Sequence, residues 1–284
     1  MKKMKKFTLS ATVAASLAFF AGTASAQVSD ALEVDGTVIS TTAPAPDFLD
    51  IDQVLSGWLF RTPETRALQT DDFDNPGMVF VDQAIDDWNA VDGSEGKSCA
   101  SCHTNGPEEF AGLRAELPRW DEAQGKVMNM EDYINLSRVE HMGAEPLKWA
   151  KPRMDAMVAL ISLQSRGMPI NVAIDGPVAD MWEQGRELYY TRVGQLDMAC
   201  ANCHEDNYGV MIRADHLSQG QINGFPVYRL KNSKLNSVHA RFSGCMKNIR
   251  AQPFAVGGEE FRALELYVAS RGNGLSAEGP SVRN

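Results

Sequence analysis

The sequence predicts a mostly α-helical fold, in which two tandem modules with long loops follow a cleaved export signal. A five-residue pattern, C-x-x-C-H, occurs twice, at 99–103 and at 200–204. An amphipathic segment at 158–167 returns at 263–272, and both copies end in Ser-Arg-Gly. No part of the 284 residues has the sustained alternation of apolar and polar residues that an extensive sheet requires.

The first 26 residues have the features of a secretory signal in the usual order. Four lysines precede an apolar run from Phe7 to Phe20, and Ala24-Ser25-Ala26 has the small-residue pattern of a cleavage site. The apolar run is shorter than the roughly 20 residues that span a bilayer. We therefore expect cleavage after Ala26 and an exported chain without a membrane span.

The charge balance excludes one large class of function. The chain has 37 acidic and 27 basic residues and a formal net charge of −10, which becomes −14 when the four lysines of the signal are removed. A nucleic-acid binder that relies on a general basic surface is excluded by this balance. The 44% hydrophobic content is sufficient for a packed core.

The organisation of the chain follows from the repeats and from apolar spacing. Helical spacing is present at 51–60, 78–88 and 178–190. A linker is expected near Met168–Asn171, where the first repeat ends and a proline follows. The prediction is a signal peptide at 1–26, an N-terminal module at 27–170 and a C-terminal module at 171–284.

The repeated motif indicates covalent haem. Two thiols on one helical turn can add to the two vinyl groups of a haem, and the adjacent imidazole can bind the iron as the proximal ligand. Two copies behind an export signal predict two cytochrome c-type domains, each with one covalently bound haem c. The predicted attachment residues are Cys99, Cys102, Cys200 and Cys203, and the predicted proximal ligands are His103 and His204.

The fifth cysteine, Cys245, lies in the loop region where the distal ligand of the second haem is expected. A buried apolar role, an intermolecular disulfide and simple ligation are the alternatives to a reactive thiol. Its surroundings favour a reactive or ligating thiolate. Residues 216–258 contain no acid but six cations, and one of these, Arg241, precedes Cys245 by four residues. On a helix the two share a face, and a nearby cation lowers the pKa of a thiol.

The corresponding region of the first module has no thiol. It contains Ser137, followed by His141 and Met142, and either of the latter two can serve as a distal ligand. We favour His141, because the chain has 13 methionines and most are expected in the core. His216 and His239 are weaker candidates.

These residues carry a specific resemblance. The tandem haem motifs, the stretch Ala240–Arg250 with its Arg-x-x-x-Cys element, and Asn135–Trp149 with Met-Gly-Ala-Glu-Pro resemble the SoxA family, the dihaem subunits of thiosulfate-oxidising SoxAX complexes. The resemblance covers the whole mature chain. It implies an L-cysteine S-thiosulfotransferase of the periplasm that joins thiosulfate to a cysteine of the carrier SoxYZ.

The resemblance also implies partners and residue roles. Electrons would leave through haem to a small cytochrome c, and the cytochrome subunit SoxX would be the stable partner. Cys245 would be an axial ligand of the second haem and the catalytic residue, present as a persulfide, and Arg241 would bind substrate. Many members also ligate the first haem with cysteine, where this chain has Ser137.

Two other classes of protein remain as alternatives. A dihaem electron carrier would use Cys245 only as a ligand and would transfer no sulfur. A dihaem peroxidase needs a displaceable sixth position for peroxide, which a thiolate at Cys245 fits poorly. Oxidative coupling of two sulfurs needs a soft nucleophile, a cation for the anion and an electron sink, and Cys245, Arg241 and the second haem would supply them.

Overall fold

The structure is a computed structural model that describes residues 31–213 and 215–284. The predicted export signal and the cleavage after Ala26 lie outside the described residues. The described part begins with two antiparallel hairpins, β1 (Leu32–Val34) with β2 (Thr37–Ile39) and β3 (Thr42–Pro44) with β4 (Gln53–Leu55). A 3-10 helix (Gly57–Phe60) and the short helix α1 (Pro63–Ala67) follow.

The helix predicted over 51–60 is therefore wrong. The apolar side chain of Val54 is fully buried, as predicted, but it lies on strand β4, opposite Ala43. Ser56 then begins the 3-10 helix, because its side chain accepts a hydrogen bond from the N–H of Trp58 at 3.0 Å. The hairpin thus buries Val54 without a helix, while Leu55 beside it is only half-buried.

Helices and short hairpins build the first module. Its elements are α2 (Met78–Asn89), α3 (Cys99–Cys102), a 3-10 helix (Pro107–Phe110), α4 (Leu113–Glu116), β5 (Arg119–Asp121), β6 (Lys126–Met128), α5 (Met130–Met142) and α6 (Pro152–Leu163). The helix predicted at 78–88 is confirmed by α2. The segment predicted at 158–167 is helical only to Leu163, and turns lead from there to Gly167.

The second module repeats this order. Its elements are a 3-10 helix (Gly176–Val178), α7 (Ala179–Tyr190), α8 (Cys200–His204), β7 (Met211–Ile212), β8 (Asp215–His216), β9 (Val227–Arg229), β10 (Lys234–Asn236), α9 (Val238–Asn248), α10 (Glu259–Ser270) and β11 (Ser281–Arg283). Every strand in the described residues is two or three residues long. The predicted, mostly α-helical class is confirmed.

One helix pair forms the framework of each module. Helix α2 crosses α6, and α7 crosses α10. The second crossing is so close that a Cβ atom on Gly185 would lie 2.0 Å from the carbonyl oxygen of Ala263. Glycine is therefore required at this point of α7, and the tight pair supports the loop that carries α8.

The two modules pack against each other, and the segment between them is hydrogen-bonded to the C-terminal part of the chain. The predicted linker pairs with the chain near the C-terminus, since the N–H of Ile170 donates to the carbonyl of Leu275 at 2.8 Å. Ile170 and Val127 are buried in the core that includes Phe261 of α10, and Leu235 is buried in the core of the first module. Each core thus includes a residue from the other half of the chain.

Buried polar contacts also join the halves. Arg262 of α10 forms an ion pair with Asp132 of α5, and the side-chain amide of Asn129 donates to the carboxylate of Glu265. Within the part of the chain described here, no helix has the length and apolar character needed to cross a bilayer.

Candidate functional site

Both C-x-x-C-H motifs form a single helical turn, and the side chain of the residue before the second cysteine caps the start of that turn. In α3 the N–H of Ser98 donates to Oγ of Ser101 at 2.8 Å. In α8 the N–H of Ala199 donates to Oδ1 of Asn202 at 2.9 Å. These caps fold each motif locally, so that its two thiols lie on one turn with the histidine at its end.

No disulfide joins any of the five cysteines. All five are free thiols, and those of the motifs are half-buried or, for Cys102, exposed. Burial raises the pKa of Cys99, Cys200 and Cys203, so these thiols are neutral at pH 7. A paired thiol set with an adjacent imidazole is the donor set of a covalently bound haem, so the residues present fit this group.

A cavity of about 570 Å³ opens beside His103. Its lining includes apolar side chains of α2 and α6, among them Val81 and Leu160. The ring of Phe110 lies 4.8 Å from the imidazole of His103, centroid to centroid. Polar side chains, among them Asp82 and Gln164, also line this cavity, so its wall is mixed.

The loop after α8 holds His204 in a single orientation. Nδ1 of His204 lies 2.8 Å from the carbonyl oxygen of Ser218, so this nitrogen carries the hydrogen and donates. Gly220 has φ of 83°, and a Cβ there would lie 2.9 Å from Cγ of the imidazole. The loop can pack on the ring only with glycine at this position. Nε2 is left as the nitrogen that can bind iron.

Helix α9 brings Cys245 to this imidazole. The helix starts at Ser237, whose hydroxyl accepts a hydrogen bond from the N–H of Ala240 at 3.3 Å. Cys245 lies two turns further on and contacts His204 through a side-chain hydrogen bond. The thiol is also near Cys200 and Cys203. The predicted distal cysteine and proximal histidine are therefore brought together, 41 residues apart in sequence.

Charge decides the ionisation of Cys245. Burial opposes the thiolate, but the positive charge of Arg241, the hydrogen bond with His204 and the charge of Arg229 outweigh it and lower the pKa of Cys245 to about 7. The expected influence of Arg241 on this thiol is confirmed. The Cys245 thiol has the opposite pKa shift from Cys99, Cys200 and Cys203.

The guanidinium groups of Arg61, Arg229 and Arg241 interact electrostatically, and Arg229 and Arg241 also act on the Cys245 thiol. Two of the three have other partners. Arg61 pairs with Asp215, and Arg229 donates to the carbonyl of Asn284 at 2.7 Å. Among the residues that the structure describes, the guanidinium of Arg241 has no hydrogen-bond or ion-pair partner, and the residue is only half-buried. A half-buried cation without an anionic partner, one helical turn from a thiolate, is suited to hold a small anion.

Sequence reasoning missed Arg61. It belongs to the N-terminal segment, 184 residues before Cys245, and no motif surrounds it. Burial, and then the charges of Arg283, Arg241 and Arg229, lower its pKa to about 10. Its side chain donates to the carbonyl of His216 at 2.7 Å and so fastens the loop after α8 to the N-terminal segment.

The first module differs at the position that corresponds to Cys245. The N–H of Ala144 donates to the carbonyl of Arg138, and the N–H of Ala251 donates to that of Met246, both at 2.9 Å. The first bond spans six residues and the second spans five, so the two helix ends differ in length by one residue. Helix α5 contains no cysteine, and Ser137 remains the predicted counterpart of Cys245.

The other candidate ligands lie near the end of α5. His141 is exposed on the last turn, one turn beyond Ser137, and Met142 beside it is buried. His239 is a buried histidine whose Nδ1 accepts from the N–H of Gly257 at 3.0 Å, while its Nε2 lies 3.0 Å from Glu265. His239 is therefore a core residue with partners on both nitrogens. His216 is exposed.

Comparison with known proteins decides the family. The model of the SoxA/TsdA cytochrome c domain matches residues 83–170 and 184–277. The chain is 56% identical to the L-cysteine S-thiosulfotransferase subunit SoxA of Paracoccus pantotrophus, over 99% of this chain and all of the relative. The chain belongs to the SoxA family of L-cysteine S-thiosulfotransferase subunits.

Other relatives agree over the full length. SoxA of Rhodovulum sulfidophilum is 54% identical over the whole of both chains. The crystal structure of SoxXA from P. pantotrophus contains a chain that is 58% identical, with a TM-score of 0.87, covering 89% of this chain and 97% of that one. Cytochrome c domains bind haem, so a SoxA protein with both segments is a haem protein.

Proposed function

We propose that this SoxA protein joins thiosulfate oxidatively to a cysteine of the carrier SoxYZ, with Cys245 as its catalytic residue and Arg241 as its substrate-binding residue. One observation carries the proposal. The Cys245 thiol, with a pKa lowered to about 7, contacts His204 and lies one helical turn from the unpartnered Arg241.

The proposal includes two haems. Cys99 and Cys102 would hold one, with His103 as its proximal ligand, and Cys200 and Cys203 would hold the other, with His204 as its proximal and Cys245 as its distal ligand. The capped turns of α3 and α8 support both attachments. The haem supplies, when bound, an acceptor that takes electrons from sulfur one at a time.

The chain's own residues can complete the chemistry in two steps. Arg241 holds thiosulfate, and the sulfur of Cys245 forms an S–S bond with the terminal sulfur of the anion while two electrons leave. The carrier thiol then loses its proton and attacks that terminal sulfur, which breaks the bond to Cys245 and frees it as a thiolate. The net change is one carrier S–H bond broken, one S–S bond formed, one proton released and two electrons passed to a small cytochrome c. A persulfide at Cys245 would place the same chemistry on its outer sulfur.

The proposal also covers the partner, the cellular location and the module boundaries. The relative from P. pantotrophus is described as part of a SoxXA assembly, and we propose the cytochrome subunit SoxX as the partner of this chain. The export signal at 1–26 supports a periplasmic location. The repeat supports modules at 27–170 and 171–284.

Mass spectrometry tests this proposal on protein purified from a host that exports it and attaches haem. We expect two haems, one on each C-x-x-C-H peptide, and extra sulfur on the Cys245 peptide. Thiosulfate-dependent reduction of a small cytochrome c in the presence of SoxYZ should accompany these masses. If the chain carries two haems and passes electrons to cytochrome c but transfers no sulfur to SoxYZ, it is instead an electron carrier.

We propose His141 as the distal ligand of the first haem. Its place one turn beyond Ser137 on α5 supports this choice over Met142, which is packed in the interior. His141→Ala is expected to convert the low-spin electron paramagnetic resonance signal of that haem to a high-spin one. Met142→Ala is the matched control, because it alters the neighbouring residue and should leave the signal low-spin. The reverse pattern would assign Met142.

A further inference from the structure

The two predicted proximal histidines have different hydrogen-bond acceptors on Nδ1. In the second module the acceptor is a neutral backbone carbonyl, that of Ser218. In the first module, Nδ1 of His103 lies 3.1 Å from Oε2 of Glu109, a carboxylate. The two sites thus differ by a full negative charge in contact with the ring.

Local structure fixes the carboxylate in this place. Gly106, with φ of 85°, turns the chain back after the motif, and Glu109 follows on the 3-10 helix Pro107–Phe110. The other carboxylate oxygen, Oε1, accepts a hydrogen bond from the N–H of Asn105 at 2.9 Å. The carboxylate is thus held against the ring by two donors, the imidazole N–H of His103 and the backbone N–H of Asn105.

An ionised acceptor changes what an imidazole does as a ligand. A carboxylate draws the Nδ1 proton toward itself and raises the electron density on Nε2, which makes the ring a stronger donor to iron. A stronger donor stabilises ferric over ferrous iron and lowers the reduction potential. The backbone carbonyl at His204 has the same effect to a smaller degree, because it carries no net charge.

We propose that Glu109 is a positioning residue that polarises His103 and lowers the reduction potential of the haem in the first module. The inference rests on the proposed role of His103 as proximal ligand. The first module then has a charged group next to its proximal histidine that the second module lacks. Where Ser137 supplies no anionic ligand on the distal side, Glu109 supplies an anion behind the proximal one.

A redox titration of the purified holoprotein, monitored by electron paramagnetic resonance, tests this proposal, because the thiolate-ligated haem of the second module has a separate signal. Glu109→Gln keeps the shape of the side chain and removes its charge, and it should raise the potential of the first haem alone. Glu109→Asp keeps the charge but withdraws the carboxylate by one methylene, and a smaller shift in the same direction is expected.

Glu108→Gln is the matched control, because it removes an adjacent charge that does not contact the ring. Equal shifts in Glu108→Gln and Glu109→Gln would show a general effect of local charge and would overturn the proposal, as would unchanged potentials in both Glu109 variants. Wild-type protein with one haem, on the second module only, would overturn both this inference and the proposed haem content. Two haems with an unmoved potential would overturn this inference alone.

Discussion

Replacement of Cys245 by serine is expected to lower thiosulfate-dependent turnover by more than about 1,000-fold, the order of loss seen when a catalytic nucleophile is removed. A serine hydroxyl is not ionised at neutral pH and cannot form the S–S bond that the proposed first step requires. Helix α9 should be unaffected, because oxygen replaces sulfur at a half-buried position. The measurement is the rate of cytochrome c reduction with thiosulfate and SoxYZ, with haem content determined on the same sample.

Ser137→Ala is the matched control for this variant. Ser137 is the residue of α5 that the family resemblance predicts as the counterpart of Cys245. Its replacement should leave turnover near that of the wild type. We expect two haems per chain in both variants, because neither residue belongs to a C-x-x-C-H motif. Turnover of the Cys245 variant within tenfold of the wild type would remove this residue from the mechanism.

Replacement of Arg241 by glutamine is expected to reduce kcat/KM for thiosulfate by about 10- to 100-fold. The range corresponds to about 1.5–3 kcal/mol for a hydrogen bond between charged groups. The structure gives the reason, since Arg61 and Arg229 beside it are occupied by other partners whereas Arg241 is not. Steady-state kinetics at varied thiosulfate concentration would measure the change, and Arg241→Lys should recover part of it by keeping the charge.

Lys247→Ala tests whether this effect is specific. Lys247 lies on the same helix and carries the same charge, but it is exposed to solvent. Removing it should change kcat/KM less than threefold, because an exposed charge is screened by salt. Equal losses in the Arg241 and Lys247 variants would indicate that only the overall charge of the surface matters, and would contradict a dedicated anion site.

The sequence predicted much of the fold because the helices at 78–88 and 178–190 have a clear apolar period that packing preserves. The helix predicted at 51–60 failed for a physical reason. Val54 is buried because β4 pairs with β3, and not because the segment forms a helix. Apolar spacing over ten residues indicates which side chains are buried, but not which backbone conformation buries them.

In the candidate site, too, some contacts were predictable from the sequence and others were not. The cysteine and histidine of each motif were predictable, because one helical turn brings them together. Arg241 and Cys245 were predictable as neighbours, because they are four residues apart on one helix. The proximity of Glu109 to His103 was not, since the preceding turn at Gly106 decides that this carboxylate, and not Glu108, reaches the ring.

The sequence by itself determined which groups this protein can use for chemistry, namely the two haem motifs, the lone Cys245 and the cation one turn before it. These are short-range features that local hydrogen bonds can fold. Only the tertiary structure decided which cation is available, because Asp215 and Asn284 come from distant parts of the chain to occupy Arg61 and Arg229. The charge state of a thiol depends on all neighbours within a few ångströms, and those neighbours are selected by packing across the whole chain.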